Sequence, residues 1–209
     1  AIPFLPLKRV VWSLVDSGGE TGGGDRKAVL DFAARCPNLT GFIMDDFFSD
    51  RKNGVGNLSL EQLKELRKEL VIAGRRRDLY VVVYQSQLDL PIRPYLDLCD
   101  KITYWTWFAK DLVNLEKDFE RLEKLAPDRP KLLGCYFWDY GDGRPTPLEL
   151  MQKQCRVGLQ WLREGRIEGI IFLANTVGDL DLPAVEWTRK WIAEVGDQPI
   201  VAKDSHPAK

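Results

Sequence analysis

The stretch GFIMDDFF, residues 41–48, is an apolar run that ends abruptly at two adjacent aspartates, Asp45 and Asp46. A continuous apolar run of this length is typical of a strand that is buried on both faces, as in a parallel sheet covered by helices. The segment that follows, SLEQLKELRKELVIAG at 59–74, has helical spacing and the capping-box pair Ser59 and Gln62. The sequence therefore predicts a strand, a short connection and a helix.

The same order of strand and helix recurs along the chain. The other apolar runs that precede helical patterns are RVVWSLVDS (9–17), DLYVVVYQSQ (78–87), DKITYWTW (100–107), KLLGCYFWDY (131–140) and EGIIFLANT (168–176). Such alternation predicts a parallel sheet. The runs turn polar and aromatic at their carboxyl ends, the face on which (β/α)8 barrels build their active sites. We therefore predict an α/β fold of the (β/α)8 TIM-barrel type.

The number of strands is smaller than a complete barrel needs. Six are visible in 209 residues, whereas a full barrel has eight strands in about 250 residues. We expect the first one or two strands to be lacking or degenerate. Residues 1–196 are predicted to form a single barrel-like domain and 197–209 a polar C-terminal tail. Open sheet edges would favour association between copies of the chain.

Composition narrows the classes of partner. The chain has 30 Lys and Arg against 31 Asp and Glu, so no strongly basic face is expected and nucleic acid is not a predicted partner. No apolar stretch approaches the roughly 20 residues of a membrane helix. The N-terminal sequence AIPFLPLKRV shows no signal-peptide pattern, which leaves the location open and favours the cytoplasm slightly.

The single histidine, His206, lies in the polar tail KDSHPAK and limits the chemistry. Zinc sites with several imidazoles and Ser-His or Cys-His catalysis cannot be built from the body of the fold. The four cysteines are scattered, without a CxxC pair, and are expected to be buried free thiols. We expect no cofactor and no metal, and we assign acid–base work to carboxylates.

Asp45 and Asp46 are the leading candidates for catalysis. Successive side chains of a strand point to opposite faces, so the two can converge only if the strand ends at this point. Of two carboxylates held close together, one tends to keep its proton while the other stays an anion, which is the division of roles in glycoside cleavage. Two alternatives stay open: the pair only solvates a loop, or it binds Mg²⁺ together with Asp139.

Aromatic and polar side chains at the other strand ends are predicted to bind substrate. Aromatic faces suit the C–H faces of sugar rings, and amide or carboxylate groups bind hydroxyls. The predicted set is Tyr84, Gln85, Tyr104, Trp105, Trp107, Trp138, Asp139 and Asn175. By contrast, Lys101 and Lys131 lie at the amino ends of their strands, so Schiff-base aldolase chemistry has little support.

Four short motifs together resemble the O-GlcNAc hydrolase-type N-acetylhexosaminidases, which are barrels. These motifs are MDDFF (44–48), YWTW (104–107), FWDYGDG (137–143) and GIIFLANT (169–176). The resemblance implies substrate-assisted catalysis, in which the acetamido group of the sugar attacks. It implies that Asp45 polarises this acetamido group and that Asp46 is the general acid/base. It also implies that Asp139 and Asn175 hold sugar hydroxyls and that Trp105 forms a wall of the pocket.

The sequence thus predicts a glycoside hydrolase-like barrel that works by carboxylate acid/base catalysis on a carbohydrate ligand, with an N-acetylhexosaminide as one candidate substrate. The alternative from the same aromatic residues is a barrel that binds carbohydrate without cleaving it.

Overall fold

The computed structural model describes residues 4–14, 25–51, 54–174 and 176–200. The predicted site residue Asn175, the histidine at 206 and most of the glycine-rich stretch at 17–25 lie outside these residues. Among the helices that are described, none combines the length and apolar character needed to cross a membrane.

The strands and helices alternate as the sequence predicts. The strands are β1 (Val10–Ser13), β2 (Leu39–Met44), β3 (Phe48–Arg51), β4 (Gly54–Gly56), β5 (Val71–Ile72), β6 (Arg75–Arg76), β7 (Asp78–Tyr84), β8 (Lys101–Trp105), β9 (Lys131–Tyr136), β10 (Trp138–Asp139), β11 (Arg144–Pro145) and β12 (Gly169–Leu173). The helices are α1 (Asp25–Arg35), α2 (Leu60–Glu69), α3 (Arg93–Leu96), α4 (Leu115–Leu125), α5 (Leu148–Arg163) and α6 (Pro183–Val195). Short 3-10 helices cover Gln85–Gln87, Ala109–Asn114 and Thr176–Asp179.

The six strands predicted from the apolar runs form one sheet in the order β1-β2-β7-β8-β9-β12. The pairs β1–β2, β2–β7 and β9–β12 are parallel. The remaining short strands make separate two-stranded pairs, among them the hairpin β3–β4 directly after Asp46. The predicted fold class is confirmed: the protein is α/β and TIM-barrel-like, and its described residues form a sheet of six strands where a complete barrel has eight.

Contacts divide the chain into two compact units. One comprises residues 1–103 with 124–129, and the other comprises 104–123 with 130–209. The assignment of residues 1–196 to a single domain stays a prediction, and residues 201–209 of the predicted tail lie outside the described part of the chain.

The first unit is built on β2 and β7, whose core residues are almost inaccessible to solvent. Phe42 and Met44 of β2 and Val81 of β7 are fully buried. Helix α2 begins at the capping box predicted from the sequence: the Ser59 hydroxyl accepts from the backbone N–H of Gln62, and the Gln62 amide oxygen accepts from the N–H of Ser59. This reciprocal pair satisfies two of the N–H groups that a helix start leaves unpaired.

The second unit has an aromatic core between α4 and α5. Phe119 of α4 stacks on Trp161 of α5 with ring centroids 4.1 Å apart. The guanidinium of Arg166 lies over both rings and forms two hydrogen bonds with the Glu123 carboxylate, at 2.9 and 2.7 Å. The ion pair therefore covers the edge of the apolar core.

Candidate functional site

Strand β2 ends at Met44, immediately before the two aspartates. Asp46 has a φ of +47°, in the left-handed region that few residues other than glycine adopt. This turn of the backbone breaks the alternation of side chains along the strand. The regular strand therefore ends here, which is the condition for the side chains of Asp45 and Asp46 to converge.

Tyr84, the last residue of β7, brings the two carboxylates together. Its hydroxyl oxygen lies 3.1 Å from Oδ1 of Asp46 and 3.5 Å from Oδ1 of Asp45. The phenol ring is buried, with 8% of the residue exposed, whereas both aspartates are open to solvent. Of the residues predicted from the sequence, Asp45, Asp46 and Tyr84 therefore form one cluster in the first unit.

The surroundings of Asp45 favour its protonated form. Although the residue is exposed, protein atoms around its carboxyl partly shield it from water and raise its pKa above the ordinary value, and the charge of Asp46 raises it further. Hydrogen bonds to the Asp45 carboxylate from the backbone N–H of Asp46, at 3.0 Å, and from Tyr84 oppose this rise. Asp45 therefore holds a proton more readily than an ordinary aspartate.

Two side-chain amides, those of Asn57 and Gln87, fix the surroundings of this cluster. Asn57 donates from Nδ2 to the carbonyl of Asp46 at 3.2 Å. Gln87 accepts from the backbone N–H of Tyr84 at 2.9 Å and donates to the carbonyl of Phe48 at 2.8 Å. The predicted residue Gln85 is half-buried at the start of the same 3-10 helix. The bond from Gln87 to Phe48 spans 39 positions of the chain, so no local sequence signal predicts it, whereas the bond from Gln87 to Tyr84 is a local cap of the 3-10 helix.

The second unit holds most of the predicted aromatic residues, and Tyr104 is the exception to their expected placement at the rim. Its ring is fully buried and packs against Phe119 of α4, 5.8 Å between centroids. Trp105, the next residue of β8, packs instead on Tyr136 of β9 at 4.6 Å. Because neighbouring side chains of a strand point to opposite faces, only one of the two can lie on the inner face. Tyr104 is therefore a core residue beneath a helix, and we remove it from the candidate site.

Trp107 offers the exposed aromatic face. It lies beyond the end of β8, with 37% of the residue exposed, and it stacks on Tyr140 at 5.4 Å with an interplanar angle of 29°. A small cavity of about 10 Å³ lies beneath it, lined by Thr106, Trp107, Ala109, Leu112, Tyr136, Trp138, Asp139, Thr146 and Gln154. Since this volume holds about one water molecule, a sugar ring could contact the face of Trp107 but could not enter the cavity as it stands.

Asp139 is placed differently from the prediction that it contacts a sugar hydroxyl. Its side chain has no exposed surface. One carboxylate oxygen accepts from the backbone N–H of Asp142 at 3.1 Å, and the other lies 3.9 Å from Nε of Arg144. The carboxylate thus organises the turn between β10 and β11, and it lines the water-sized cavity beneath Trp107 without reaching the protein surface.

The lysines relevant to Schiff-base chemistry and the residues that could bind a metal have the following positions. Lys101 and Lys131 each open a strand, as predicted. Lys110 lies beyond β8, where its ammonium is 4.5 Å from the ring centroid of Phe108 and 3.9 Å from Oδ1 of Asp142. Among the residues that the structure describes, no three His, Cys, Asp or Glu side chains come together as metal ligands. The Mg²⁺ alternative with Asp45, Asp46 and Asp139 therefore has no support from the described geometry.

No protein-family model and no curated protein sequence matches the chain. Solved structures are similar at low identity. A putative deoxyribose-phosphate aldolase from Toxoplasma gondii is 13% identical with a TM-score of 0.51, over 90% of this chain and 69% of that one. A phospho-2-dehydro-3-deoxyheptonate aldolase from Thermotoga maritima is 13% identical with a TM-score of 0.47, over 78% and 41%. The PgaB glycoside hydrolase domain from Bordetella bronchiseptica is 14% identical with a TM-score of 0.46, over 80% and 62%.

The chain spans less than two thirds of the length of two of these three proteins. None of the three is named as an N-acetylhexosaminidase. At such identities a likeness concerns the fold alone, and the TM-score of 0.51 with the Toxoplasma gondii protein supports the TIM-barrel-like fold.

Proposed function

We propose that the end of β2 carries a glycoside-hydrolysing site in which Asp45 and Asp46 are the acid–base pair. The observation that carries this proposal is the hydroxyl of Tyr84, which lies within hydrogen-bonding reach of both carboxylates. The three groups converge at the carboxyl ends of neighbouring parallel strands, β2 and β7. In TIM-barrel enzymes that end of the sheet builds the active site.

Asp45 is the proton donor in this proposal, and Asp46 is the anion. The raised pKa of Asp45 keeps its carboxyl protonated to higher pH than an ordinary aspartate. Its proton passes to the glycosidic oxygen as the bond from that oxygen to the anomeric carbon breaks. The carboxylate of Asp46 stabilises the positive charge that develops on the sugar ring. These roles are the reverse of those that the resemblance to N-acetylhexosaminidases implies.

The closeness of the pair favours a retaining or substrate-assisted mechanism. Inverting enzymes keep their carboxyl groups roughly 6.5–9.5 Å apart, with a water molecule between one carboxylate and the sugar. Here a single hydroxyl, that of Tyr84, lies within reach of both carboxylates. The oxygen of a 2-acetamido group on the substrate would then bond to the anomeric carbon as the protonated leaving group departs. Water, giving its proton to the Asp45 carboxylate, would next attack the anomeric carbon and release the acetamido oxygen. An N-acetylhexosaminide is therefore the preferred substrate class.

An aldolase function is the obvious rival, because two of the similar solved structures are aldolases. A Schiff-base mechanism needs a lysine at the active-site end of a strand. Lys101 and Lys131 open their strands at the opposite end, and the ammonium of Lys110 lies against Phe108 and Asp142. The positions of these three lysines therefore favour the carboxylate site over aldolase chemistry.

The test is hydrolysis of aryl glycosides by the wild type, Asp45→Asn and Asp46→Asn. Wild type should release the aryl group, a 2-acetamido sugar should react far faster than its 2-hydroxy counterpart, and each variant should lose about 10²–10⁴-fold in kcat. Asp78→Asn is the matched control, since Asp78 opens the strand that Tyr84 closes. Equal hydrolysis by the wild type and both site variants would reject the proposal. Loss of activity on adding a chelator would instead favour a metal-dependent enzyme.

A second candidate function is carbohydrate binding without cleavage, through the second unit. The exposed Trp107 stacked on Tyr140 supports it, because such a face suits a sugar ring. This candidate predicts that a sugar raises the Tm of wild type and of Asp46→Asn equally, and that Trp107→Ala abolishes the rise. Absence of any thermal shift across a glycan panel would remove it.

A further inference from the structure

One side-chain amide connects the end of β7 with the hairpin that follows the two aspartates. Gln87 Oε1 accepts from the backbone N–H of Tyr84 at 2.9 Å, and Gln87 Nε2 donates to the carbonyl of Phe48 at 2.8 Å. Phe48 is two residues beyond Asp46. Because an amide is planar and rigid, its two bonds fix the distance between the backbone at Tyr84 and the chain that leaves Asp46.

A second side-chain amide, that of Asn57, holds the backbone at Asp46. Asn57 donates from Nδ2 to the carbonyl of Asp46 at 3.2 Å, and its backbone N–H donates to the carbonyl of Phe47 at 3.0 Å. These bonds close the β3–β4 hairpin onto the residue whose φ is +47°. A left-handed aspartate is costly, on the order of 1–3 kcal/mol, and persists only where its surroundings hold it. The hairpin is such a support, and Gln87 joins it to Tyr84.

We propose that Gln87 is a positioning residue, which holds the hydroxyl of Tyr84 between the carboxylates of Asp45 and Asp46. It touches no reacting atom itself, and its role in catalysis rests on the function proposed above. Without its two bonds, the backbone at Tyr84 loses its side-chain link to the hairpin. The hydroxyl of Tyr84 then loses its fixed distance to Asp46 Oδ1.

The test measures the pKa of Asp45, which depends on the position of the Tyr84 hydroxyl. It therefore needs no substrate. The titratable groups that act on Asp45 are Asp46 and Tyr84. Since the hydrogen bond from Tyr84 lowers the pKa of Asp45, its removal in Tyr84→Phe should shift that pKa upward. Gln87→Met, which keeps the length of the side chain and removes both amide bonds, should shift it in the same direction. Carboxyl ¹³C NMR of protein labelled at aspartate measures each value.

A double-mutant cycle separates positioning from a general loss of stability. If Gln87 acts through Tyr84, Tyr84→Phe with Gln87→Met should titrate like Tyr84→Phe alone. Gln62→Met is the matched control, because Gln62 also accepts a backbone N–H through its amide, in the capping box of α2. It should lower the Tm and leave the titration of Asp45 as in wild type. Gln87→Asn, too short to span both partners, replaces Gln87→Met if the latter does not fold.

An unchanged Asp45 titration in Gln87→Met, or a shift that adds fully to that of Tyr84→Phe, would overturn the proposal. The result is separable from the hydrolysis assay. A wild type that cleaves no glycoside removes the proposed function and leaves the titration result intact. If hydrolysis occurs, Gln87→Met should lower kcat about 10-fold or more with little change in KM, as expected when a catalytic group is misplaced.

Discussion

The backbone of Gly134 in β9 lies directly against the indole ring of Trp105 in β8. A Cβ atom at position 134 would be 2.0 Å from Cδ2 of the tryptophan, far closer than any real contact. Glycine is therefore required here by the ring of its neighbour, not by backbone conformation. The close approach lets Trp105 lie flat on the sheet and pack on Tyr136.

Gly134→Ala should consequently displace Trp105 and destabilise the fold by about 1–3 kcal/mol, the usual cost of overpacking a core. Urea unfolding monitored by tryptophan fluorescence measures it. Gly169→Ala is the control in the neighbouring strand β12, where the nearest atom would be the end of the Leu132 side chain at 3.3 Å. If both variants lose the same stability, the contact with Trp105 is not the cause.

Asp45→Asn should make the protein slightly more stable at neutral pH. A carboxyl whose pKa is raised on folding binds its proton more tightly in the folded state, so stability falls as pH rises through the window from the unfolded to the folded pKa. Above that window, wild type carries the full penalty and the asparagine variant does not. The gain should be about 0.5 kcal/mol or less, because Asp45 is open to water.

Thermal unfolding of the wild type and Asp45→Asn across the pH range checks this prediction. The difference should vanish in acid, where wild-type Asp45 is protonated in both states. A variant that is less stable than wild type at pH 7 would contradict the sign of the pKa shift.

Asp100→Asn should destabilise the first unit by about 1–3 kcal/mol. Its carboxylate binds the guanidinium groups of Arg67 and Arg76 and accepts from the backbone N–H of Leu79 at 2.8 Å. Only 17% of the Asp100 side chain is exposed, so its loss leaves the partly buried Arg67 without a counter-ion.

Asp31→Asn is the control for Asp100→Asn, measured by the same urea unfolding. Asp31 pairs with Lys27 at 2.8 Å, but 62% of the Asp31 side chain is exposed. An exposed pair of this kind should be worth no more than about 0.5 kcal/mol. Equal losses in the free energy of unfolding would show that the burial of Asp100 does not strengthen its ion pairs.

The four cysteines should be unreactive in the native protein. Cys36, Cys99, Cys135 and Cys155 are free and buried, as the sequence predicts. Burial raises the pKa of Cys155 to about 12, so almost no thiolate is present at neutral pH. A thiol reagent should modify four groups after denaturation and none before it. Modification of the native protein within minutes would indicate local opening.

The alternation of strands and helices was predictable because each parallel strand is a continuous apolar run between polar ends. For the same reason, the sequence does not indicate which face of the sheet each side chain occupies. From the sequence, Tyr104 and Trp105 are both expected at the active-site end. A strand buried on both faces lacks the alternation of polar and apolar residues that would show which side chains point inward. Only the packing of Tyr104 on Phe119 places it beneath a helix.

The aspartate pair was predictable from its position after Met44, and the backbone contacts of Asn57 and the bond from Gln87 to Phe48 were not. The strand end is a local feature of the sequence. The bonds from Gln87 to Phe48 and from Tyr84 to Asp46 join residues separated by 39 and 38 positions. Such bonds depend on how β2 and β7 pair in the sheet, which the sequence of either strand alone does not specify.

The left-handed backbone at Asp46 also bears on how this protein could have evolved. Glycine adopts that conformation without steric cost, so a chain selected for folding alone would gain by losing the carboxylate. An aspartate at this position can therefore mark a selective pressure other than stability. A library randomised at position 46 and sorted by expression level should enrich glycine and asparagine, whereas sorting for function should restore aspartate.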